Sequence, residues 1–206
     1  ARRGAIKAYN IYIKQRTPFI VHDLHPNNVN NLIKYLSTVK LTDTYLANRL
    51  GVFFLNQRKY SKAISIFKLC LQDSPNNKKI LVNLLKTYRK MNNTDKVSEL
   101  YRTLLSKFKK DLDIHRKAGY HFLRQGNMPL ALDIFTKAYK IKKHYTIEIG
   151  LGKTYYKIGK YKEAEKYLTK ATNTLQTDLR ISEPGAFFHL AQIKKKSGDI
   201  SNSIRY

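Results

Sequence analysis

Residues 112–144, LDIHRKAGYHFLRQGNMPLALDIFTKAYKIKKH, contain a pattern that recurs along the chain about every 34 positions. This copy is marked by the small pair Ala118 and Gly119, followed by Phe122, Ala131 and Phe135. Further copies of the pattern begin at Thr44, Lys78, Tyr145 and Pro184. A constant period of this length predicts a chain built of repeated pairs of antiparallel helices.

The small residues in the pattern have a packing rationale. Two helices approach each other closely only where a small side chain meets a large one. Gly51, Gly119 and Gly152 occupy one offset in the unit, and aromatic or Leu residues occupy the offsets that would face them.

The predicted turns fit the same register. Gly126 and Gly159 stand where a first helix should end with a residue in the left-handed conformation. Residues 92–95 are predicted to end the first helix of the second copy in the same way. Pro129 is predicted to begin a second helix.

The pattern of Leu-Gly, Tyr, Ala, Phe, Ala and Pro at these offsets resembles the tetratricopeptide repeat family. The resemblance covers residues 44–206 and implies an all-α fold, a right-handed superhelical solenoid of helix-turn-helix repeats. The repeats are expected at 44–77, 78–111, 112–144, 145–178 and, as a partial copy, 184–206. Two residues depart from the pattern: Leu85 replaces a small residue, and Lys194 replaces an aromatic one.

Residues 1–43 carry a weaker signal. Apolar residues at near-helical spacing predict two N-terminal helices separated by a proline-bracketed loop, and such helices would cap the exposed end of a repeat array. His22 and His25 lie in that loop without further ligands nearby, so a surface loop is favoured over a metal site. Between the fourth and fifth copies the spacing is longer, which predicts an extended helix or loop.

The charge of the chain is strongly unbalanced: 40 Lys and Arg stand against 14 Asp and Glu, for a formal net charge of +26. The family resemblance implies that first helices line a concave groove through particular positions of each repeat. Basic residues predominate at those positions, whereas acidic residues offset the lysines of the second helices. In the fourth copy the groove positions are Thr146, Ile149, Gly150, Lys153, Tyr156 and Lys157.

A groove lined by one sign of charge attracts ligands of the opposite sign, so the predicted ligand is an acidic protein or peptide segment. Asn83 is expected to give a bidentate amide contact to an extended backbone, and Tyr120 and Tyr156 apolar contact. The complete predicted set is Lys79, Asn83, Lys86, Arg89, Lys90, Arg116, Lys117, Tyr120, Arg124, Lys153, Tyr156 and Lys157. Chaperone-binding members of the family clamp a terminal carboxylate at positions where this chain matches only Asn83 and Lys117. Asp113 would repel that ligand.

Two alternatives to an acidic protein partner remain at this stage. A general bias toward Lys would make any solvated face basic without a function. Aromatic residues interleaved with Lys and Arg would also suit nonspecific nucleic-acid binding, for example to RNA. The predicted function is therefore a non-catalytic protein-protein interaction scaffold supporting assembly or stability of a complex, with nucleic-acid binding as the alternative.

Catalysis, a metal site, a cofactor and a small-molecule substrate are not expected, because no phosphate loop, nucleophile elbow or metal cluster occurs in the sequence. Cys70 is the single cysteine and takes a buried, normally small position. No apolar run reaches the length of a membrane span. Localisation stays open, since an upstream anchor or targeting segment would be compatible with this chain. Self-association through the partial fifth repeat is a further expectation.

Overall fold

The computed structural model describes residues 44–177 and 184–196, and within them the chain forms nine α-helices and no strand. The predicted capping helices of residues 1–43, the His22 loop and the remainder of the fifth repeat, with its proposed self-association, lie outside the described residues. The helices are α1 Thr44–Asn56, α2 Tyr60–Asp73, α3 Lys78–Lys90, α4 Thr94–Lys107, α5 Leu112–Arg124, α6 Met128–Ile141, α7 Tyr145–Lys157, α8 Tyr161–Thr177 and α9 Pro184–Lys196. The five odd-numbered helices begin at the residues where the copies of the sequence pattern begin.

Two compact units make up the chain, Ala1–Leu100 and Tyr101–Tyr206, and α4 crosses the boundary between them. In the first unit, α2 packs against both α1 and α3, and α1 also contacts α3. In the second unit, α6 packs between α5 and α7, and α8 packs between α7 and α9. The second helices α2, α6 and α8 therefore each cover their own first helix and the next one. This arrangement leaves one side of the first helices available for a ligand.

The helix pairs are held together by the predicted contact between glycine and a large side chain. A Cβ atom added to Gly51 would stand 2.4 Å from the ring of Phe67, and one added to Gly119 would stand 2.6 Å from the ring of Phe135. In the fourth repeat Leu168 takes the place of the phenylalanine, 2.5 Å from the Cβ position of Gly152. The prediction that small residues admit large ones is thus confirmed in three repeats.

Left-handed residues end the first helices, as predicted. Gly126 and Gly159 have φ values of 76° and 81°, and Asn92 has a φ of 55°. The first repeat uses Arg58, with a φ of 58°, which the sequence did not indicate. Asn92 tolerates this conformation through its short polar side chain, whereas an arginine gains no such relief. The left-handed conformation of Arg58 is therefore set by the geometry of the turn and not by a preference of arginine.

Cys70 is buried on α2, with 1% of its surface exposed. Burial raises the pKa of its thiol to about 11, so the thiol stays protonated at neutral pH and is a poor nucleophile. Its predicted role as a core residue is confirmed.

Candidate protein-interaction site

An open cavity of about 760 Å³ lies on the first-helix side of the first unit, between α1 and α3. The cations that line it come from α3 and from the turn after α1: Arg58, Lys86, Arg89 and Lys90. Its other lining residues are Val52, Leu55, Asn56, Tyr60, Asn83 and Asn92. No carboxylate occurs among the lining residues in the part of the chain that the structure describes.

A second cavity of about 510 Å³ adjoins the first, because both are lined by Val52 and Asn56. Arg49 and Lys79 are its cations, and no carboxylate of residues 44–177 or 184–196 lines it. The two adjoining cavities together are called here the α1–α3 groove. Six cationic side chains line it.

The two walls of the α1–α3 groove differ in chemistry. Val52 and Leu55, both half-buried, give the α1 wall apolar surface. Lys79, Lys86 and Lys90 are exposed along the α3 wall. Their spacing of seven and four residues places them on one face of α3, while Ile80, Leu81, Leu84 and Tyr88 are buried on the other. The groove therefore suits a ligand with both apolar and acidic groups.

Asn83 has a structural role that the sequence did not predict. Its side chain is buried, and its Nδ2 donates a hydrogen bond of 2.8 Å to Oδ1 of Asn48, which is also buried. The amide thus joins α3 to α1 at the base of the groove. This bond uses one N–H of the amide, and the bidentate contact of Asn83 with a ligand backbone stays a prediction. The repeat pattern placed Asn83 on the correct side of α3 but did not reveal that Asn48 faces it.

Replacing Asn83 by Ala is expected to lower the free energy of unfolding by about 1–2 kcal/mol, because the buried Oδ1 of Asn48 loses its donor. Urea denaturation of Asn83→Ala, Asn48→Ala and the double variant checks this. The double variant should cost clearly less than the sum of the single variants. Strictly additive effects would show that the two amides do not depend on each other.

The α5 residues of the predicted set are partly paired within their own helix. Arg116 and Lys117 contact the carboxylate of Asp113 at 2.8 and 2.5 Å. Burial raises the pKa of Asp113, but the hydrogen bonds from Lys117 and Arg116 lower it more, so the net shift is downward. Asp113 therefore stays ionised and offsets part of the positive charge here. Arg124 is exposed in the last turn of α5.

Side chains from α5, α7 and α9 meet in the second unit. Nζ of Lys153 lies 5.9 Å from the centre of the Tyr120 ring and would be 2.9 Å from a Cβ atom on Gly185. Tyr156 contacts the ring of His189 at 5.3 Å between centroids. The structure thus brings Tyr120 to Lys153 and Tyr156 to His189, while Lys157 is exposed at the end of α7.

His189 is a polar member of this cluster to which the sequence gave no role. Burial lowers its pKa, with further lowering by Lys153 and Lys157, so the ring is neutral at pH 7. Its buried Nδ1 atom has no hydrogen-bond partner among the described residues. The only sequence signal was its position in the fifth copy of the pattern, equivalent to that of Asn83 in the second copy.

Two groove positions predicted for α7 are wrong. Ile149 is 2% exposed, and Gly150 is buried with the ring of Phe135 2.4 Å from its Cβ position. Phe135 of α6 covers Gly150, because α6 packs against the next first helix, and Ile149 packs in a core cluster with residues of α8 and α9. These positions belong to the core rather than to a binding surface.

Glu148 of α7 is a buried acid, 7% exposed. Burial raises its pKa from the ordinary value of 4.5, and Lys170 and Lys143 offset this in part. An acid whose pKa is raised in the folded protein adds stability below its unfolded pKa and loses that stability as the pH rises through the folded pKa. Glu148 is therefore destabilising at neutral pH relative to acidic pH.

Glu148→Gln is accordingly expected to stabilise the protein at pH 7, because the amide carries no charge to desolvate. The gain should disappear at about pH 4, where the acid is mostly protonated in both states. Urea denaturation at the two pH values measures the difference. An equal gain at both would assign the effect to packing rather than to charge.

The described residues contain no group of three or more His, Cys, Asp or Glu side chains that could hold a metal ion. None of the helices seen in the structure is both long and apolar enough to cross a membrane.

Paired helices with a ligand-sized groove between successive first helices define the class of helical-repeat interaction proteins. Tetratricopeptide repeat models match residues 54–118 and 149–173. The chain belongs to the tetratricopeptide repeat family, and its predicted all-α repeat fold is confirmed. Members of this family generally mediate protein-protein interaction and complex assembly, and they are typically non-catalytic.

Among known proteins, the anaphase-promoting complex subunit CDC16 of Saccharomyces cerevisiae is 28% identical over 107 residues, which cover 48% of this chain and 13% of CDC16. The chain thus matches a small part of that relative. Among solved structures, MamA has a TM-score of 0.66 at 18% identity, over 79% of this chain and 87% of MamA. A tetratricopeptide repeat protein from Parabacteroides merdae has a TM-score of 0.70 at 18% identity, over 97% and 77% of the two chains. Both structures share the fold.

Proposed function

We propose that this chain is a non-catalytic scaffold that binds an acidic segment of a partner protein in the α1–α3 groove and thereby supports assembly of a complex. The observation that carries the proposal is the charge of this groove: among the described residues, six cations and no carboxylate line two adjoining cavities. Such a surface concentrates positive potential and steers an anionic segment toward it. The lower charge of the second helices argues against a uniform compositional bias.

The shape and composition of the groove favour a peptide segment over a compact anion. Val52 and Leu55 provide apolar contact area, which a small inorganic anion would leave unused. Asn56 and Gln57 are exposed in the lining and carry amide groups that can hydrogen-bond a peptide backbone. A segment with acidic side chains on one side and an apolar side chain on the other would use both walls.

The second unit supplies further contacts for the same kind of ligand. Lys153, Tyr120 and Tyr156 combine cationic and aromatic surface, and aromatic residues with a polar end are common in binding surfaces. The pairing of Arg116 and Lys117 with Asp113 makes them weaker contributors than the cations of α3. The principal binding residues in this proposal are therefore Lys79, Lys86, Arg89 and Lys90.

The relative in yeast is by its name a subunit of a large complex. A role within an assembly agrees with that name, although the partner of this chain is a separate matter because only 13% of the relative is matched.

The test is to capture partners with the purified chain from lysate of its source, with and without nuclease, and to identify them by mass spectrometry. A defined protein that survives nuclease and binds through an isolated acidic segment would support the proposal. Retention of nucleic acid alone, lost on nuclease treatment, would overturn it in favour of phosphate binding. That alternative also predicts a steep fall of affinity with salt.

A further inference from the structure

Two tetrads of the same type, Lys-apolar-Lys-Lys, occur 33 residues apart in the second unit. The first tetrad is 107–110, KFKK, at the end of α4, and the second tetrad is 140–143, KIKK, at the end of α6. Each stands just before a first helix, α5 or α7. The function proposed above uses neither of them. All six lysines are exposed: Lys107, Lys109, Lys110, Lys140, Lys142 and Lys143.

The two tetrads lie on the same edge of the second unit. α5 and α7 contact each other, and each begins within two residues of the end of a tetrad. The starts of these helices are close, because the charge of Arg116 on α5 is near enough to lower the pKa of His144 at the start of α7. Burial, then Lys142, then Arg116 lower the pKa of His144, so the local environment is positive.

The acids of this edge are already engaged. Asp111 accepts a hydrogen bond of 3.0 Å from the backbone N–H of Ile114, and Asp113 is paired with Arg116 and Lys117. Asp111 keeps its negative charge while it accepts this bond, and Glu148 interacts with Lys143. The six lysines of the tetrads still outnumber these carboxylates, so positive charge is in excess at this edge.

The apolar residue of each tetrad distinguishes this edge from an ordinary solvated lysine run. Ile141 is a large apolar side chain that is 40% exposed between lysines. Phe108 is half-buried beside an open depression of about 510 Å³ lined by residues 106–111. Exposed apolar groups surrounded by lysines match the interface of an anionic bilayer, which offers charged headgroups above an apolar layer.

We propose that this edge binds the surface of an anionic phospholipid bilayer, with the six lysines on the headgroups and Ile141 and Phe108 in the interfacial layer. An aliphatic side chain such as Ile141 cannot stack on bases, so nucleic acid would leave it exposed. The tetrads lie at the ends of α4 and α6 and in the turns that follow, rather than on the sides of first helices. Membrane binding and partner binding would therefore use separate surfaces, and the scaffold would hold its partner at a membrane.

The test measures co-sedimentation of the chain with vesicles of phosphatidylcholine containing 30% phosphatidylserine, against phosphatidylcholine alone. The tetrad variant is Lys109→Gln, Lys110→Gln, Lys142→Gln and Lys143→Gln. Each lysine near such a surface contributes about fivefold to the partition coefficient, so four losses should reduce binding by roughly several hundredfold. The matched control, Lys68→Gln, Lys160→Gln, Lys162→Gln and Lys166→Gln, has the same net charge, alters exposed residues elsewhere and should stay within a few-fold of the parent.

Ile141→Ser separates a bilayer from a nucleic acid without changing any charge. It should weaken vesicle binding by about threefold to tenfold, since part of an isoleucine side chain is no longer buried in the interface, and leave binding to poly(U) RNA unchanged. The proposal is overturned if the parent shows no preference for anionic vesicles, or if the control loses as much as the tetrad variant. It is also overturned if the tetrad variant loses RNA binding while vesicle binding persists. Circular dichroism of every variant verifies that these exposed positions leave the fold intact.

Discussion

Gly150→Ala is expected to lower the free energy of unfolding by about 1–2 kcal/mol. Three atoms of the Phe135 ring lie 2.4 to 2.7 Å from the position that the new Cβ would take. Phe135 is fully buried and also faces Gly119 at 2.6 Å, so its ring has no free direction in which to move. Overpacking of this kind costs about 1–3 kcal/mol, and the better helix propensity of Ala returns at most about 1 kcal/mol. Urea denaturation followed by circular dichroism measures the change.

A double-mutant cycle with Phe135→Leu provides the control. The smaller leucine gives the added methyl group more room, so Gly150→Ala should cost much less in that background. An equal cost in both backgrounds would mean that the alanine acts through the α7 backbone and not through the ring.

Reversing the charge of the α3 wall is expected to weaken binding of the acidic partner segment by about a hundredfold or more. The variant is Lys79→Glu, Lys86→Glu and Lys90→Glu, all exposed residues that line the α1–α3 groove. Each change removes an attraction and adds a repulsion, which together amount to about 1 kcal/mol or more per site. Isothermal titration calorimetry with the acidic segment identified by capture measures the dissociation constant at fixed salt.

The stability of this variant should change little, which makes the loss of binding interpretable. Lys79 lies in the first turn of α3, where Glu interacts favourably with the helix dipole, and Lys90 lies in the last turn, where Glu is unfavourable. The matched control is Lys68→Glu, Lys162→Glu and Lys166→Glu, exposed residues of second helices with the same total change in charge. If the control weakens binding equally, net charge rather than the groove governs recognition.

The repeat pattern predicted the helices and most turns because these depend on periodic small, large and left-handed residues. Gly51 indicates close packing of two helices, and Gly126 and Gly159 indicate left-handed turns. These local steric requirements can be predicted from the sequence alone. Arg58 could not be predicted, since its left-handed conformation is set by the geometry of the turn and not by the residue. The same holds for Asn83, whose role depends on Asn48 facing it from another helix.

The predicted groove was less accurate where the packing of second helices decides exposure. Counting positions along a first helix does not reveal that Phe135 covers Gly150 or that Ile149 packs in a core cluster with α8 and α9. The adjoining cavities between α1 and α3 could not be predicted either, because their size depends on the distance between two helices. The charge of a helix face can thus be predicted from the sequence, whereas the burial of individual positions and the shape of a groove cannot.

The close approach of a glycine to a large side chain has a further consequence for how the chain folds. Gly51 and Phe67, Gly119 and Phe135, and Gly152 and Leu168 are each sixteen residues apart. In these three repeats the glycine contact therefore closes only a short loop, with a modest entropic cost before the contact forms. Chains whose stabilising contacts are this local fold quickly, and each helix pair can form before distant parts of the chain have been synthesised.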